Sequence, residues 1–389
     1  MKAIAVTPAT QALSLIDHLE PVLLTPTQVK CRILEVGVCG TDKDIIHFEY
    51  GMVPEGYDYL IIGHEALGEV IEVGSAVSRV KIGDLVIPSV RRPCQVSTCI
   101  ACRNGYSDFC YSGQYQERGI KEAHGFMTEM IVDEEIYFNA VPWAIRDVAV
   151  LIEPMSIVEK AITQVMEIQT RLPWMGANGA TPVDQWTYRQ AVVLGAGPVG
   201  ILATMILVSA GFKVDVYSRS PKPNVKASLV ESIGATYYST ETVPVDTLVQ
   251  TLGSIDFVFE ATGIAELAIN VLEVLGNNAV FVFSGVSGIK GTMDIPMNLL
   301  IHDMVLKNQV IFGSVNANPK DFSDAIRDLE HFMQQWPDAV RALITSHRSI
   351  EDYQDVLLGD PGGIKNVISI AETKPINTVS TALQSEAIR

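Results

Sequence analysis

An apolar strand runs into a glycine-rich turn at Ala191-Val192-Val193-Leu194-Gly195-Ala196-Gly197-Pro198-Val199-Gly200, and an apolar helical segment follows to residue 210. The spacing G-x-G-x-x-G between a strand and a helix is a pattern that binds a dinucleotide. Its first glycine permits a tight turn, its second lets the backbone approach the pyrophosphate, and its third allows close packing of helix on strand. A glycine turn that binds nothing is the alternative, and the flanking strand and helix argue against it. We expect cofactor contacts from Gly195, Gly197, Pro198, Val199 and Gly200.

Strands and helices alternate after this turn. Further strands are predicted at 213–217, 256–259 and 279–283, with a helix over about 224–233. Strands that alternate with helices in this way imply a doubly wound parallel sheet, and therefore an α/β fold. We assign residues 189–315 to this nucleotide-binding domain.

The end of the second strand bears on the choice of cofactor. Enzymes that use NAD usually carry an acidic residue there, which binds the adenosine ribose hydroxyls. This chain has Ser218, Arg219 and Ser220, whereas Asp215 falls about three residues early, inside the strand. A guanidinium and hydroxyls favour a phosphate, so we expect NADP, with NAD as the second candidate.

Composition places the chain among ordinary globular proteins of two domains. It has 389 residues, of which 48% are hydrophobic and 19% charged, and its net charge is −17. An anionic surface disfavours nucleic acid and anionic membranes as partners. No apolar run reaches the roughly twenty residues of a membrane span, and the N-terminus looks like a first strand. We expect a cytoplasmic protein, in which clustered cysteines indicate metal more than disulfides.

Residues 1–188 look different from the nucleotide-binding segment. Short strands, such as 29–36, 69–74 and 84–88, are separated by Gly, Pro and Asp, and a helix is predicted over 157–171 with a linker over 172–182. This pattern predicts a compact β-rich domain. After residue 316 the chain is expected to return to that domain, with a helix over 321–335 and a polar tail over 373–389.

One candidate metal site is scattered along the first domain. Cys39 lies in G-V-C-G-T-D, His64 and Glu65 in G-H-E, and Glu153 in E-P-M-S. A thiolate, an imidazole and a carboxylate are all competent zinc ligands, and three protein ligands leave a fourth position for substrate. Each residue alone has an ordinary explanation: a buried cysteine, a satisfied core histidine, a surface glutamate. Glu65 is either an alternating ligand or a supporting group, and Thr41 can carry a proton from a bound alcohol.

A second candidate metal site is compact. Its four thiols follow the spacing C-x4-C-x2-C-x7-C within a lobe over 94–110, at Cys94, Cys99, Cys102 and Cys110. Four thiolates are enough for a closed tetrahedral structural zinc. Unmetallated thiols are the plainer alternative, and a zinc ribbon that binds nucleic acid would need a basic surface that this chain lacks.

These motifs together resemble those of the zinc-containing medium-chain dehydrogenases over nearly the whole length. Within them the chain is most similar to the archaeal-type glucose dehydrogenases. The similarity extends to segments outside the zinc motifs, namely Val90–Pro93, Glu117–Ile120, His124–Met127, Glu153–Lys160, Glu260–Gly263 and Gly313–Asn316.

The resemblance implies a GroES-like β-rich catalytic domain interrupted by a Rossmann domain, with a return to the first domain over 316–389. It implies that Cys39, His64, Glu65 and Glu153 surround a catalytic zinc and that Thr41 lies beside the reacting oxygen. Glu117 and Asn316 would contact sugar hydroxyls, and Thr262 would contribute to the cofactor site. It also implies a homodimer or homotetramer.

The chain departs from the family pattern at three places. The first gap of the cysteine lobe has four residues where two are common, which bears on Cys94 as a ligand. Asp44 stands where many relatives have a histidine, so any proton relay must differ. A single Arg219 stands where the glucose branch often has two arginines, which weakens the expected preference for NADP.

The expected reaction is oxidation of an aldose, glucose first, at C1 to the lactone, with hydride transfer to NADP. A polyol or secondary-alcohol dehydrogenase with the same machinery is the nearest alternative. A non-catalytic nucleotide-binding protein is the alternative from another class, and the joint presence of Cys39, His64 and Glu153 argues against it.

Overall fold

A computed structural model describes residues 1–174, 189–286, 292–359 and 362–371. The strands are β1 Lys2–Thr7, β2 Ala12–Asp17, β3 Gln28–Gly37, β4 Leu60–Ile61, β5 Glu65–Val73, β6 Leu85–Pro88, β7 Arg91–Arg92, β8 Gln116–Arg118, β9 Glu122–Ala123, β10 Met130–Glu134, β11 Phe138–Val141, β12 Gln190–Leu194, β13 Lys213–Ser218, β14 Thr236–Ser239, β15 Phe257–Glu260, β16 Val280–Phe283, β17 Val310–Gly313, β18 Ile344–Ser349 and β19 Lys365–Ser369.

The α-helices are α1 Gly40–Ile46, α2 Ile100–Arg103, α3 Ile152–Gln169, α4 Pro198–Ser209, α5 Val225–Ser232, α6 Val245–Leu252, α7 Ala265–Leu272, α8 Met297–Leu306, α9 Pro319–Gln335, α10 Pro337–Leu343 and α11 Tyr353–Leu357. Short 3-10 segments cover Ser107–Phe109, Glu135–Tyr137, Trp143–Leu151 and Ile350–Asp352.

The nucleotide-binding segment forms a parallel sheet of six strands in the order β14-β13-β12-β15-β16-β17. Strand β12 lies in the middle and is buried along its whole length, which explains its continuous apolar run. The strand order reverses between β12 and β15, and ligands of such sheets bind at this switch point. The predicted doubly wound α/β fold is therefore confirmed.

The first part of the chain forms mainly antiparallel sheets, in which only β8–β9 and β18–β19 are parallel pairs among the described strands. The largest has the path β11-β6-β5-β3-β19-β18, and β10 also pairs with β3. Strand β19 comes from the far end of the described chain and pairs with β3, where Val367 is opposite Gly37. The chain thus returns to its first sheet after it has completed the parallel one.

Helix α3 joins the two sheets. One buried cluster contains Leu34 and Leu67 of the antiparallel sheet, Met155 and Val158 of α3, and Val193 of the parallel sheet. Burial of each apolar side chain of this size contributes roughly 1.5–3 kcal/mol to the free energy of unfolding. This shared core therefore holds the two sheets in a fixed relation. The position of the cleft between them depends on that core.

Helix α3 begins at Ile152, five residues before the predicted start at 157. The apolar periodicity is interrupted by Glu153 and Pro154, although proline is tolerated in the first turn of a helix. The earlier start places Glu153 on the buried helix instead of in a loop.

Part of the predicted linker, from residue 175 onward, and the predicted tail over 373–389 lie outside the described residues. In the described ranges, none of the helices combines the length and the apolar character needed to cross a membrane.

Candidate functional site

The glycine turn has the geometry that its sequence pattern predicts. Gly195 has φ +105, a backbone conformation that favours glycine. A Cβ on Gly200 would lie 2.1 Å from the carbonyl oxygen of Gly195, so a side chain does not fit there. A Cβ on Gly197 would meet nothing within 4 Å, so the backbone faces open space at the N-terminus of α4. This is the space into which a pyrophosphate would fit.

A cleft of about 670 Å³ lies between this turn and the scattered metal motif. Its walls come from α1, β5 and β19 on one side and from the segments that follow β12, β15 and β16 on the other. The residues that line it include Cys39, Thr41, Asp44, Glu65, Gly197, Pro198, Val199, Gly200, Thr262, Ser284 and Lys365. A group bound at the metal motif and a nucleotide bound at the glycine turn would therefore share one cavity.

A second cavity, of about 630 Å³, adjoins the glycine turn at the end of β13. Ser218, Arg219 and Thr262 line it, whereas Ser220 does not and instead accepts a hydrogen bond on its carbonyl oxygen from the Tyr237 hydroxyl, at 2.7 Å. Lys226, near the start of α5, lines both cavities. Lys226 was not predicted from the sequence, although a cation in the first turn of a helix, where the helix dipole disfavours it, could have indicated an anion site.

Asp215 does not face this cavity. Its side chain is 1% exposed and accepts a hydrogen bond from the amide of Gln190. Burial raises the pKa of the Asp215 carboxyl, and the contact with Gln190 opposes that shift. The usual acidic partner of the ribose hydroxyls is therefore not supplied by this residue, as its early position in the strand suggested.

The structure brings together three of the four scattered candidates for metal binding. The ligand atoms of Cys39, His64 and Glu65 all lie within 4.8 Å of one another, although 24 residues or more separate Cys39 from the other two. Cys39 caps the N-terminus of α1, and Glu65 begins β5 immediately after His64. A thiol, an imidazole and a carboxylate at this spacing fit a zinc ion that keeps an open coordination position. We call Cys39, His64 and Glu65 the metal triad.

Asp42 orients the triad, a role that was not predicted from the sequence. Its carboxylate is completely buried and accepts hydrogen bonds from the N–H of Cys39, at 2.9 Å, and of Gly63, at 3.2 Å. Its Oδ1 also lies 3.4 Å from Nδ1 of His64. A carboxylate beside the imidazole fixes the orientation of a metal-binding histidine. Asp42 therefore joins the Cys39 loop to the His64 loop, and its place as the last residue of G-V-C-G-T-D was the available signal.

Lys365 supports the triad from the opposite end of the chain. Its Nζ lies 2.5 Å from Oε2 of Glu65 and donates to the carbonyl oxygen of Val38, at 3.2 Å. Burial lowers the pKa of Lys365, but Glu65 and Cys39 outweigh that effect and leave the pKa above its ordinary value. Since 300 residues separate Lys365 from Glu65, no local pattern could have predicted this ion pair.

Glu153 lies near the triad but is not a member of the group with mutual ligand distances within 4.8 Å in the described part of the chain. It is 6% exposed, and burial raises the pKa of its carboxyl to about 8; Glu65 adds to that shift, while His64 opposes it. Glu153 is thus a buried carboxyl within electrostatic reach of the triad. The structure places it in the first turn of α3, and it is not among the residues that line the cleft.

The compact cysteine motif forms one cluster. The sulfurs of Cys94, Cys99, Cys102 and Cys110 lie within 4.8 Å of one another, and none of these residues is in a disulfide. The sulfurs of Cys99 and Cys110 are 3.9 Å apart, and tetrahedral zinc with Zn–S bonds of about 2.3 Å would separate two sulfurs by roughly 3.8 Å. The backbone N–H of Cys102 lowers the pKa of the Cys99 thiol to about 6. The long first gap therefore does not keep Cys94 out of the cluster.

Glu117 and Asn316, the candidate sugar ligands, lie together although 199 residues separate them. Nδ2 of Asn316 donates to Oε1 of Glu117 at 2.8 Å, and Arg91 donates to the same oxygen. Both candidates are buried. Burial raises the pKa of the Tyr50 phenol, and the charges of Glu117 and His64 also act on it, so Tyr50 lies within electrostatic reach of both groups.

Comparison with protein families gives two matches that together span most of the chain. The model described as "Alcohol dehydrogenase GroES-like domain" matches residues 25–142. The model described as "Glucose dehydrogenase C-terminus" matches residues 146–370.

Curated relatives and solved structures agree with these matches. The glucose 1-dehydrogenase of Methanocella arvoryzae is 36% identical over 95% of this chain and 99% of the relative, and that of Thermoproteus tenax is 39% identical over the same shares. Among solved structures, Haloferax mediterranei glucose dehydrogenase in complex with NADP, Zn and gluconolactone superposes with a TM-score of 0.84 at 29% identity. That match covers 96% of this chain and all of the other.

Proposed function

Since the chain belongs to the glucose 1-dehydrogenase branch of the zinc-containing medium-chain dehydrogenases, we propose that it oxidises glucose at C1 and transfers the hydride to NADP. The observation that carries the proposal is the single cleft, which Cys39 and Glu65 of the metal triad line together with the glycine turn. Hydride transfer requires the alcohol carbon and the nicotinamide to meet in one water-poor cavity.

The residue roles follow from these positions. We propose that Cys39 and His64 hold a catalytic zinc, with Glu65 or Glu153 as the carboxylate ligand, and that the cysteine lobe holds a structural zinc. Glu65 is the better placed carboxylate, because Glu153 is not within the triad spacing. The domain division proposed with these roles is 1–188 and 316–389 for catalysis, and 189–315 for the nucleotide.

In the reaction, the C1 hydroxyl of the aldose loses its proton, C1 loses a hydride, and the lactone forms. Bound zinc supplies Lewis acidity that lowers the pKa of that hydroxyl, and the nicotinamide accepts the hydride. Thr41 lines the cleft with its hydroxyl 3.9 Å from the Cys39 sulfur, and we propose that it relays the proton: its oxygen accepts the proton of the sugar hydroxyl while its own proton passes on toward Asp44. The carboxylate of Asp44, exposed on the same wall, would pass the proton to solvent in place of the histidine of many relatives.

The substrate class is tested with a panel of aldoses, polyols and secondary alcohols, each with NADP and NAD. We expect the highest kcat/KM for glucose or a close aldose with NADP. The same assay after chelation should show lost turnover that zinc restores. Turnover confined to a polyol or a secondary alcohol would contradict the glucose assignment and support the alternative activity.

Preference for NADP is expected to depend on Arg219. Replacing Arg219 with alanine should raise KM for NADP roughly 10- to 100-fold, because a charge-assisted bond to phosphate is lost, while KM for NAD changes little. Lys226→Met should have a smaller effect in the same direction. Lys222→Met is the matched control, since the ammonium of Lys222 pairs with Glu231 at the surface. Equal changes for both cofactors would show that Arg219 does not bind the 2′-phosphate.

The cysteine cluster is expected to hold zinc independently of catalysis. Cys102→Ser should lower the zinc content from two ions to one per chain and lower the Tm by at least about 5 °C, because a structural site contributes directly to folding stability. Metal analysis and thermal melting measure both effects. An unchanged zinc content in this variant would support the alternative of unmetallated thiols.

We propose a homodimer or homotetramer assembled through the edge of the parallel sheet. Strand β17 is the last strand of that sheet, and the neighbouring helix α8 exposes large apolar side chains at Met297, Leu299, Ile301, Val305 and Leu306. An exposed apolar patch beside a free strand edge is typical of an association surface. Light scattering of the purified protein measures the oligomeric state.

The cytoplasmic location expected from composition stays a prediction.

A further inference from the structure

We propose that the cysteine lobe positions the two candidate sugar ligands, through Arg91 on one side and Lys160 on the other. This inference rests on the proposed function, since it concerns how Glu117 and Asn316 are held for the sugar. Arg91 and Lys160 are positioning residues and not catalytic ones, because each acts through another side chain or through the backbone.

Arg91 forms the first connection. Its Nη2 and Nε donate to Oε1 of Glu117 at 2.8 and 3.1 Å, and its Nη1 donates to the carbonyl oxygen of Asp108 at 3.1 Å. The guanidinium also stacks on the ring of Tyr115, 3.8 Å from the ring centre. The side chains of Arg91 and Glu117 are only 4% and 5% exposed, so this ion pair is largely shielded from water. One guanidinium therefore spans from the lobe to the Glu117 carboxylate.

Lys160 forms the second connection. Its Nζ lies 2.8 Å from the Asp108 carboxylate and donates to the carbonyl oxygen of Val315, also at 2.8 Å. It further lies over the ring of Phe109, 4.2 Å from the ring centre. Val315 directly precedes Asn316, whose φ of +60 requires a defined backbone at this point. Lys160 thus fixes the segment that presents the Asn316 amide.

Both connections end on the same short segment of the lobe. The carbonyl oxygen of Asp108 accepts a hydrogen bond from Arg91, and its carboxylate forms an ion pair with Lys160. Asp108 lies in the chain between Cys102 and Cys110 of the cysteine cluster. The cysteine cluster therefore fixes the positions of Glu117 and Asn316 through two separate sets of contacts.

The consequence concerns the Glu117 carboxylate. Arg91 and Asn316 occupy its Oε1, and no residue of the described ranges donates a hydrogen bond to Oε2. A carboxylate fixed through one oxygen presents the other in a single direction, as recognition of a sugar hydroxyl requires. An enzyme in which the Glu117 carboxylate is loosely held would lose its discrimination between sugars before it lost the chemical step.

The test compares Arg91→Met with Arg91→Lys, Lys160→Met and the control Arg103→Met, an exposed arginine of the same lobe. For Arg91→Met we expect KM for glucose to rise about tenfold or more, with kcat and KM for NADP nearly unchanged. The preference for glucose over its 2-deoxy and 3-deoxy analogues should fall, and affinity for the lactone in calorimetry should fall in parallel. Arg91→Lys should recover part of each loss, Lys160→Met should show the same pattern more weakly, and Arg103→Met should match wild type.

Unchanged KM for glucose and unchanged analogue discrimination in a folded Arg91→Met protein would overturn the positioning role while leaving the proposed function intact. If wild type oxidises no aldose, the proposed function and this inference fail together. If Arg91→Met does not fold, Arg91→Lys is the deciding variant. Wild-type discrimination between the sugar analogues in Arg91→Lys would overturn the positioning role, because it would show that the two hydrogen bonds from Arg91 to Oε1 of Glu117 are not needed.

Discussion

Replacing Cys39 with alanine is expected to lower kcat/KM for glucose by at least about a thousandfold. The reason is the triad geometry: Cys39, His64 and Glu65 converge within ligand distance in the cleft, so loss of the thiolate removes one of three donors. Lewis acidity at a substrate oxygen is worth several kcal/mol, and each 1.36 kcal/mol changes a rate tenfold. His64→Ala should have an effect of the same order.

The control for this prediction is Cys31→Ala. Cys31 is a completely buried strand cysteine outside both metal clusters, so its loss affects packing but no metal ligand. Metal analysis should show one zinc per chain in Cys39→Ala and two in Cys31→Ala. Near-normal turnover by Cys39→Ala with a single zinc at the cysteine lobe would rule out the triad as the catalytic centre.

Replacing Gly200 with alanine is expected to have the second-largest effect. The added methyl group would lie 2.1 Å from the carbonyl oxygen and 2.9 Å from the carbonyl carbon of Gly195, so the backbone must shift to make room. Overpacking of this kind costs typically 1–3 kcal/mol, so we expect the Tm to fall by roughly 5 °C or more and NADPH affinity to fall at least about 100-fold. NADPH fluorescence titration and thermal melting measure the two effects.

Gly197→Ala separates folding from binding. A Cβ at Gly197 meets no protein atom within 4 Å, so the Tm should stay near that of wild type. NADPH affinity should nevertheless fall, because the methyl group enters the space expected for the pyrophosphate. Ser209→Ala, at the exposed far end of α4, should change neither quantity. If Gly197→Ala bound NADPH as wild type does, the pyrophosphate would have to lie elsewhere.

Features with a local cause were predictable from the chain alone. The glycine turn and its flanking elements depend on residues within about one helix length of each other, and the four cysteines lie within 94–110, so their spacing was informative. The doubly wound sheet followed from alternating patterns for the same reason. The family resemblance then extended these local motifs to the whole chain.

Features that depend on contacts between distant residues needed the folded molecule. Asp42, Lys365 and Lys226 acquire their positions from strand pairing and sheet packing, which bring segments as far apart as 300 residues into contact. For the same reason only the fold shows that Glu65, not Glu153, shares the spacing of Cys39 and His64. A sequence motif indicates the chemistry that its side chains can perform. Packing of the two sheets around α3 determines which other side chains surround them.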